Sequence, residues 1–220
     1  MYKLIYFFGP DGTGKTTQAN LITKRLRATG FRVWRASVKQ HHTLAYLLLT
    51  ILSRRNKNTI NTISYCGFND AVTRRIRRPW KILEIISLFP TVFYRVILPL
   101  LLNYVVICDR YVLDTLVTLS YFLKDPTLLS GVYVKLMIKL IPRNALLFYL
   151  DAETDVILQR KRDEPLTVHL IEYYRRAYEI IVEQLKEQGL VVTRINTATT
   201  SIKAVHEIVL SYLELRIKNS

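Results

Sequence analysis

Short apolar runs that end in polar turns recur along this chain at residues 4–8, 31–36, 104–108, 145–150 and 190–195, with amphipathic stretches between them. Runs of this length predict strands. Their alternation with helical patterns predicts a parallel sheet, because parallel neighbours must be joined by a long crossover. The unbroken stretches Val105-Val106-Ile107-Cys108 and Leu146-Leu147-Phe148-Tyr149-Leu150 read as central strands covered on both faces. In such sheets ligands gather at the carboxyl ends of the strands. Three polar groups directly follow strands there: residues 9–17, Asp109-Arg110-Tyr111 and Asp151.

Between residues 43 and 103 the pattern predicts mostly helix, with Pro79, Pro90 and Pro99 setting starts or kinks and 54–61 forming a polar connector. Leu170, Ile171, Tyr174, Tyr178, Ile181, Val182 and Leu185 form the stripe of an amphipathic helix over 167–188, which Gly189 is placed to stop. A last helix over 202–217 turns Val205, Ile208, Val209, Tyr212 and Leu213 inward. The apolar runs at 44–52 and 96–108 are too short or too interrupted to span a bilayer and read as core.

A chain of 220 residues that is 50% hydrophobic can bury a full core, and its length suits one domain. Thirty-two Lys and Arg against seventeen Asp and Glu give a formal charge of +15, which favours nucleotides, nucleic acid or acidic surfaces as partners. The excess concentrates in Arg74-Arg75-Ile76-Arg77-Arg78 and Arg160-Lys161-Arg162. Cys66 and Cys108 are too few for a disulfide framework or a paired metal motif, which fits a reducing compartment. Cys108 reads as a small buried side chain, and His41-His42 as surface or turn residues. The first strand begins without room for a signal peptide, so a cytoplasmic location is expected.

The clearest chemical signal is Gly9-Pro10-Asp11-Gly12-Thr13-Gly14-Lys15-Thr16, set between the first predicted strand and a helical segment starting at Lys15. Glycines there allow the backbone to aim several N–H groups at one oxyanion, and the helix N-terminus adds partial positive charge. Lys15 is placed to reach the β- and γ-phosphates of a bound nucleotide, and Thr16 to bind Mg²⁺.

Asp109 could hold a Mg²⁺ water or orient an acceptor, and Arg110 offers a planar fork for phosphoryl oxygens. An ion pair that ends the strand is the structural alternative. Arg160-Lys161-Arg162, before Asp163-Glu164-Pro165, reads either as a short basic lid or as cations at a helix C-terminus. The cluster Arg74-Arg75-Ile76-Arg77-Arg78-Pro79-Trp80 suits nucleic acid or an acceptor phosphate, and equally a solvated helix face.

Through Gly9-Pro10-Asp11-Gly12-Thr13-Gly14-Lys15-Thr16-Thr17 and Asp109-Arg110-Tyr111 the chain resembles the thymidylate kinase family of P-loop nucleoside monophosphate kinases. Tyr149-Leu150-Asp151 with Arg160 and Arg162, Arg175-Arg176-Ala177-Tyr178, and Ile195-Asn196-Thr197-Ala198-Thr199 follow in the family's order. The resemblance implies a three-layer P-loop NTPase fold, with a central five-stranded parallel sheet flanked by helices. Residues 1–220 would form a single kinase domain, in which 37–103 is a helical acceptor-binding region and 159–168 a short lid.

It further implies ATP and Mg²⁺ as cofactors. Gly9, Pro10, Asp11, Gly12, Thr13, Gly14, Lys15, Thr16, Thr17, Thr197 and Ala198 would hold ATP, and Thr16 and Asp109 the metal. Lys15, Asp109, Arg110, Arg160 and Arg162 would be catalytic; Asp11, Arg74, Arg78 and Arg110 would bind the acceptor. With Gly12 in the loop, the chain looks like the family variant whose catalytic arginine comes from the lid. A homodimer is implied by resemblance alone.

The middle of the chain departs from the family where the base is chosen. Val38-Lys39-Gln40-His41 stands in place of an Arg-Glu-Pro-Gly-like stretch, Leu88-Phe89-Pro90 in place of an arginine setting, and Thr118-Leu119 in place of a Tyr-Gln pair. Arg74, Arg78 and Arg95 are candidate substitutes. The expected reaction is transfer of the γ-phosphate of ATP to dTMP. The alternatives are another nucleotide, a nucleoside or a small phosphorylated metabolite as acceptor, or a nucleic-acid-binding ATPase.

Overall fold

The computed structural model describes residues 4–38 and 70–217, and of 70–77 and 214–217 the backbone alone. His41-His42, Cys66, the connector 54–61, the run 44–52 and the Lys39-Gln40-His41 departure lie outside the described residues.

Five strands, β1 (Leu4–Phe8), β2 (Val33–Ala36), β3 (Val105–Cys108), β4 (Leu146–Asp151) and β5 (Val192–Asn196), form one sheet in the order β2-β3-β1-β4-β5. Every neighbouring pair is parallel. All five residues of β1 are fully buried, as its unbroken apolar run predicts for a strand at the middle of a covered sheet. β1 begins with its apolar run, and the other four strands begin one or two residues later than theirs, so Phe31, Tyr104, Ala145 and Leu190 lead into them. Asp151 is the last residue of β4, paired with Asn196 of β5.

Alternation along β1 divides the core in two. Leu4, Tyr6 and Phe8 face one helical layer, made of α2 (Asp70–Val92), α4 (Val112–Phe122), α5 (Val132–Lys139) and α7 (Val168–Glu187). Ile5 and Phe7 face the other, where α1 (Lys15–Ala28) contributes Ala19, Ile22 and Leu26, and α8 (Ile202–Ile217) contributes Val205, Val209 and Leu213. The chain leaves β1 through α1 toward β2 on one side, while β4 lies on the other. The turn after β1 therefore opens where the strand order reverses, at the crevice that open α/β sheets use for ligands.

Helix α2 runs through Pro79 and Pro90, so neither of them starts a helix. Each proline removes an amide from the helical ladder, but Trp80, Ile85, Leu88, Val92 and Val96 are buried at helical spacing and hold the segment against its layer. The ladder then loosens to a π-turn at Phe93–Ile97, and Pro99 stands in the first turn of the short helix α3 (Leu98–Leu101). The stretch Arg78–Leu101 contains a window with mean hydropathy 1.6 and is long and apolar enough to cross a membrane by length and composition. The separate apolar runs did not reveal it. Its outer face carries Ile82, Ile86, Phe89 and Phe93 as an exposed stripe.

A short helix, α6 (Thr154–Arg160), separates β4 from α7. The Thr167 hydroxyl caps α7 by accepting the Leu170 amide, and Gly189, at φ 76°, follows its end as the sequence pattern predicts.

One buried carboxylate ties three elements together. Asp114, in the first turn of α4, accepts the Tyr6 hydroxyl of β1 at 2.5 Å, the Tyr178 hydroxyl of α7 at 2.8 Å and the Tyr111 amide at 2.9 Å. Burial, and then the Asp114 charge, push both phenols well above their usual range, so they stay protonated as donors. Asp114→Ala strands two buried hydroxyls and an amide, and is expected to cost about 3 kcal/mol or more. In thermal unfolding the midpoint should fall by roughly 6–12 °C, with Asp114→Asn in between.

Candidate active site

The phosphate loop owes its path to glycines at positions other residues could not fill. Gly9 has φ 136°, and a β-carbon there would sit 2.0 Å from the Leu150 carbonyl oxygen of β4. Gly12 has φ 86°, and its β-carbon would press at 3.1 Å on Lys161 Cγ and at 3.5 Å on Ile157 Cγ2, so the segment after α6 packs directly on the loop. Any side chain at this position is thereby disfavoured. Gly14, at φ 85°, is the N-cap of α1 and supplies no side chain to the first-turn amides, which leaves them for an anion.

Lys15 is folded back over the loop. Its ammonium donates to the carbonyls of Gly9 at 2.7 Å and Pro10 at 2.6 Å and lies 3.5 Å from Asp11 Oδ1. Thr13 donates its hydroxyl to the Pro10 carbonyl at 2.8 Å and stiffens the turn. Thr16 and Asp109 meet: the hydroxyl donates to Asp109 Oδ2 at 2.9 Å. Asp109 is 8% exposed, and its Oδ1 is buried with no hydrogen-bond partner among the described residues. A hydroxyl and a carboxylate with an unused oxygen are hard donors that suit Mg²⁺, which takes one or two protein ligands and completes its shell with phosphate and water. Burial and then the neighbouring Asp109 raise the Cys108 thiol far above its usual range, so it remains a neutral core side chain.

Arg110 forms an ion pair with Asp11, and its carbonyl accepts the Val38 amide at 3.0 Å, so the ends of β2 and β3 are joined beside the loop. Sequence reasoning missed Arg35. This β2 residue sends Nη2 to 3.1 Å from Asp109 Oδ2 and donates Nη1 to Asn20 Oδ1 at 2.7 Å. The available signal was a cation inside a strand bounded by Val33 and Ala36, one register step from the strand that leads into Asp109. Arg95 donates to the Ser37 carbonyl at 3.0 Å, which brings it to the same edge. Among the described residues Arg78, exposed on α2, has no bond to Asp11, Asp109 or Arg110; the side chain of Arg74 lies outside the description.

On the other flank a cavity of about 540 Å³ is bounded by Gly12, Thr17, Gln18, Thr197, Ala198 and Val205. Arg160 closes its rim, donating to the Gly12 carbonyl at 3.3 Å, the Thr197 hydroxyl at 3.2 Å and the Thr197 carbonyl at 2.7 Å. The structure thus sets Arg160 between the phosphate loop and the β5–α8 turn, while Arg162 is exposed in the turn after α6. Asp151 is committed elsewhere: Arg175 grips it with Nε and Nη2 at 3.0 Å each, and Arg194 reaches it at 3.1 Å. Hydrogen bonding to Asp151 raises the Arg175 guanidinium further above its usual value.

At the positions of the family's Tyr-Gln pair, Thr118 donates back to the Asp114 carbonyl at 2.9 Å and Leu119 is buried. Nearby, Tyr121, Tyr173 and Tyr174 pack edge to face with ring centres 5.1 to 6.3 Å apart. Burial pushes the Tyr174 phenol up to about 12.

No family model matches the chain, and no curated protein matches it. Solved structures do. The YorR protein from Bacillus subtilis, in complex with phosphorylated GDP, is 18% identical with a TM-score of 0.56, over 98% of each chain. Deoxyadenosine kinase from M. mycoides, with bound dCTP, is also 18% identical with a TM-score of 0.56, over 96% of this chain and 98% of that one. At this identity the likeness is one of fold: the chain has the α/β fold of P-loop kinases, with helices on both faces of a five-stranded parallel sheet.

Proposed function

We propose that this protein is an ATP-dependent kinase that transfers the γ-phosphoryl group to a nucleoside monophosphate, with dTMP as the first acceptor to test. One observation carries the reading. Lys15, the Thr16–Asp109 pair and the Asp11–Arg110 pair converge around the phosphate loop at the strand-order reversal, with a nucleoside-sized cavity alongside.

In this reading the amides of residues 12–17 cradle the donor phosphates, and the cavity beside Thr197 and Ala198 receives the base. Lys15 exchanges the carbonyls of Gly9 and Pro10 for β- and γ-phosphate oxygens. Thr16 and Asp109 would hold Mg²⁺, which neutralises charge on the bridging phosphates when bound. Asp11 orients the Arg110 fork toward the phosphoryl group in flight, and Arg160 clamps the donor by joining the loop to Thr197. Arg162, exposed beside Arg160, is the lid cation available to the transition state. Catalysis then consists of positioning and charge stabilisation.

A second reading keeps the donor half and changes the acceptor. It is motivated by Thr118 and Leu119, whose side chains are tied to their own helix or buried, beside a tyrosine cluster that offers stacking in place of a paired amide and phenol.

Lys15→Ala should lower kcat at least about 100-fold in an ADP-release assay while leaving the melting temperature near that of wild type; a variant with wild-type turnover would refute the assignment. Arg160→Ala should raise KM for ATP more than it lowers kcat, because its bonds lie on the donor side. A panel of nucleosides, nucleoside monophosphates and small phosphorylated metabolites, scored by kcat/KM, separates the two acceptor readings, with dTMP ranking first under the primary one.

A further inference from the structure

Asp109, the carboxylate that would face the metal, already carries a cation supplied by the chain. Its Oδ2 receives both the Thr16 hydroxyl at 2.9 Å and the Arg35 guanidinium at 3.1 Å, while Oδ1 is buried and has no partner among the described residues. Arg35 is not free to leave. Its other terminal nitrogen is held by Asn20 of α1 at 2.7 Å, and its backbone is paired with Ile107 in the β2–β3 ladder. A guanidinium cannot deprotonate in a protein, so this charge is permanent.

We propose that Arg35 is a resident counter-charge that keeps the Thr16–Asp109 site from taking a divalent cation before the nucleotide arrives. Repulsion from a fixed positive charge a few ångströms away outweighs what one shared carboxylate offers a bare cation. A triphosphate brings enough negative charge to reverse that balance, so the metal enters as a metal–nucleotide complex. Arg35 is thus a positioning residue: it sets the order in which the site fills and fixes the Asp109 carboxylate through Oδ2. The inference rests on the nucleotide-site reading above.

Mn²⁺ serves as the spectroscopic probe, titrated into the full chain without nucleotide while free Mn²⁺ is followed by electron paramagnetic resonance. Wild type and R35K, which keeps the charge, should show no tight site. R35Q should gain one Mn²⁺ site at least about tenfold tighter, and R35Q/D109N should lose it. Calorimetry with Mg-ATP on R35Q reports that the fold and the phosphate loop are intact. The proposal is overturned if wild type already binds one Mn²⁺ as tightly as R35Q, or if R35Q binds Mg-ATP yet gains no Mn²⁺ site. Where R35Q does not fold, the wild-type titration decides alone, and a tight nucleotide-free site overturns it. Failure of the nucleotide reading registers separately, as absence of Mg-ATP binding by wild type, and takes this proposal with it.

Discussion

The carbonyl oxygen of Leu150 lies where a β-carbon on residue 9 would have to be, and the geometry of the site follows from that contact. Because the loop can pass so close to β4, its glycines can turn at positive φ and deliver α1 with its first-turn amides facing the crevice. The buried β1 run behind it leaves the loop little freedom to retreat. On its outer side the segment after α6 rests on Gly12, so the cradle is gripped between the sheet edge and the chain that follows Asp151.

Around this cradle, three aspartates at the strand ends each take a guanidinium. Asp11 pairs with Arg110, Asp109 with Arg35, and Asp151 with Arg175 and Arg194. The first two border the loop and keep an exposed face or an unused oxygen. The third is consumed in joining β4, β5 and α7. Similar residues therefore do different work according to which side of the sheet edge they occupy, and the large positive charge of the chain is partly spent inside its own architecture.

The phosphate loop was legible in the sequence because everything it needs is contiguous: an apolar strand, glycines at fixed spacing, Lys15 and Thr16, then a helix. The three central strands were legible because strands buried on both faces need no alternation to be seen, and the edge strands β2 and β5 because an apolar run bounded by polar turns marks each of them. Strand starts were less so, since Leu190 is as apolar as a strand residue but packs ahead of one. What escaped was non-local. Arg35 meets Asp109 only once β2 is set beside β3, Asp151 finds its partner only when Arg175 arrives from α7, and Arg160 meets Thr197 only when the β5–α8 turn is brought beneath it. Prolines that punctuate sequence as breakers are carried through α2 by burial on its inner face.

The retracted posture of Lys15 has a kinetic meaning. With its ammonium held by two loop carbonyls beside Asp11 and almost wholly out of water, Lys15 has little hydration to shed before it meets an incoming anion. Under the proposed nucleotide reading, encounter and capture would be separable events: a polyphosphate would first dock on the amides, and the side chain would then swing across in a unimolecular step whose speed is indifferent to nucleotide concentration.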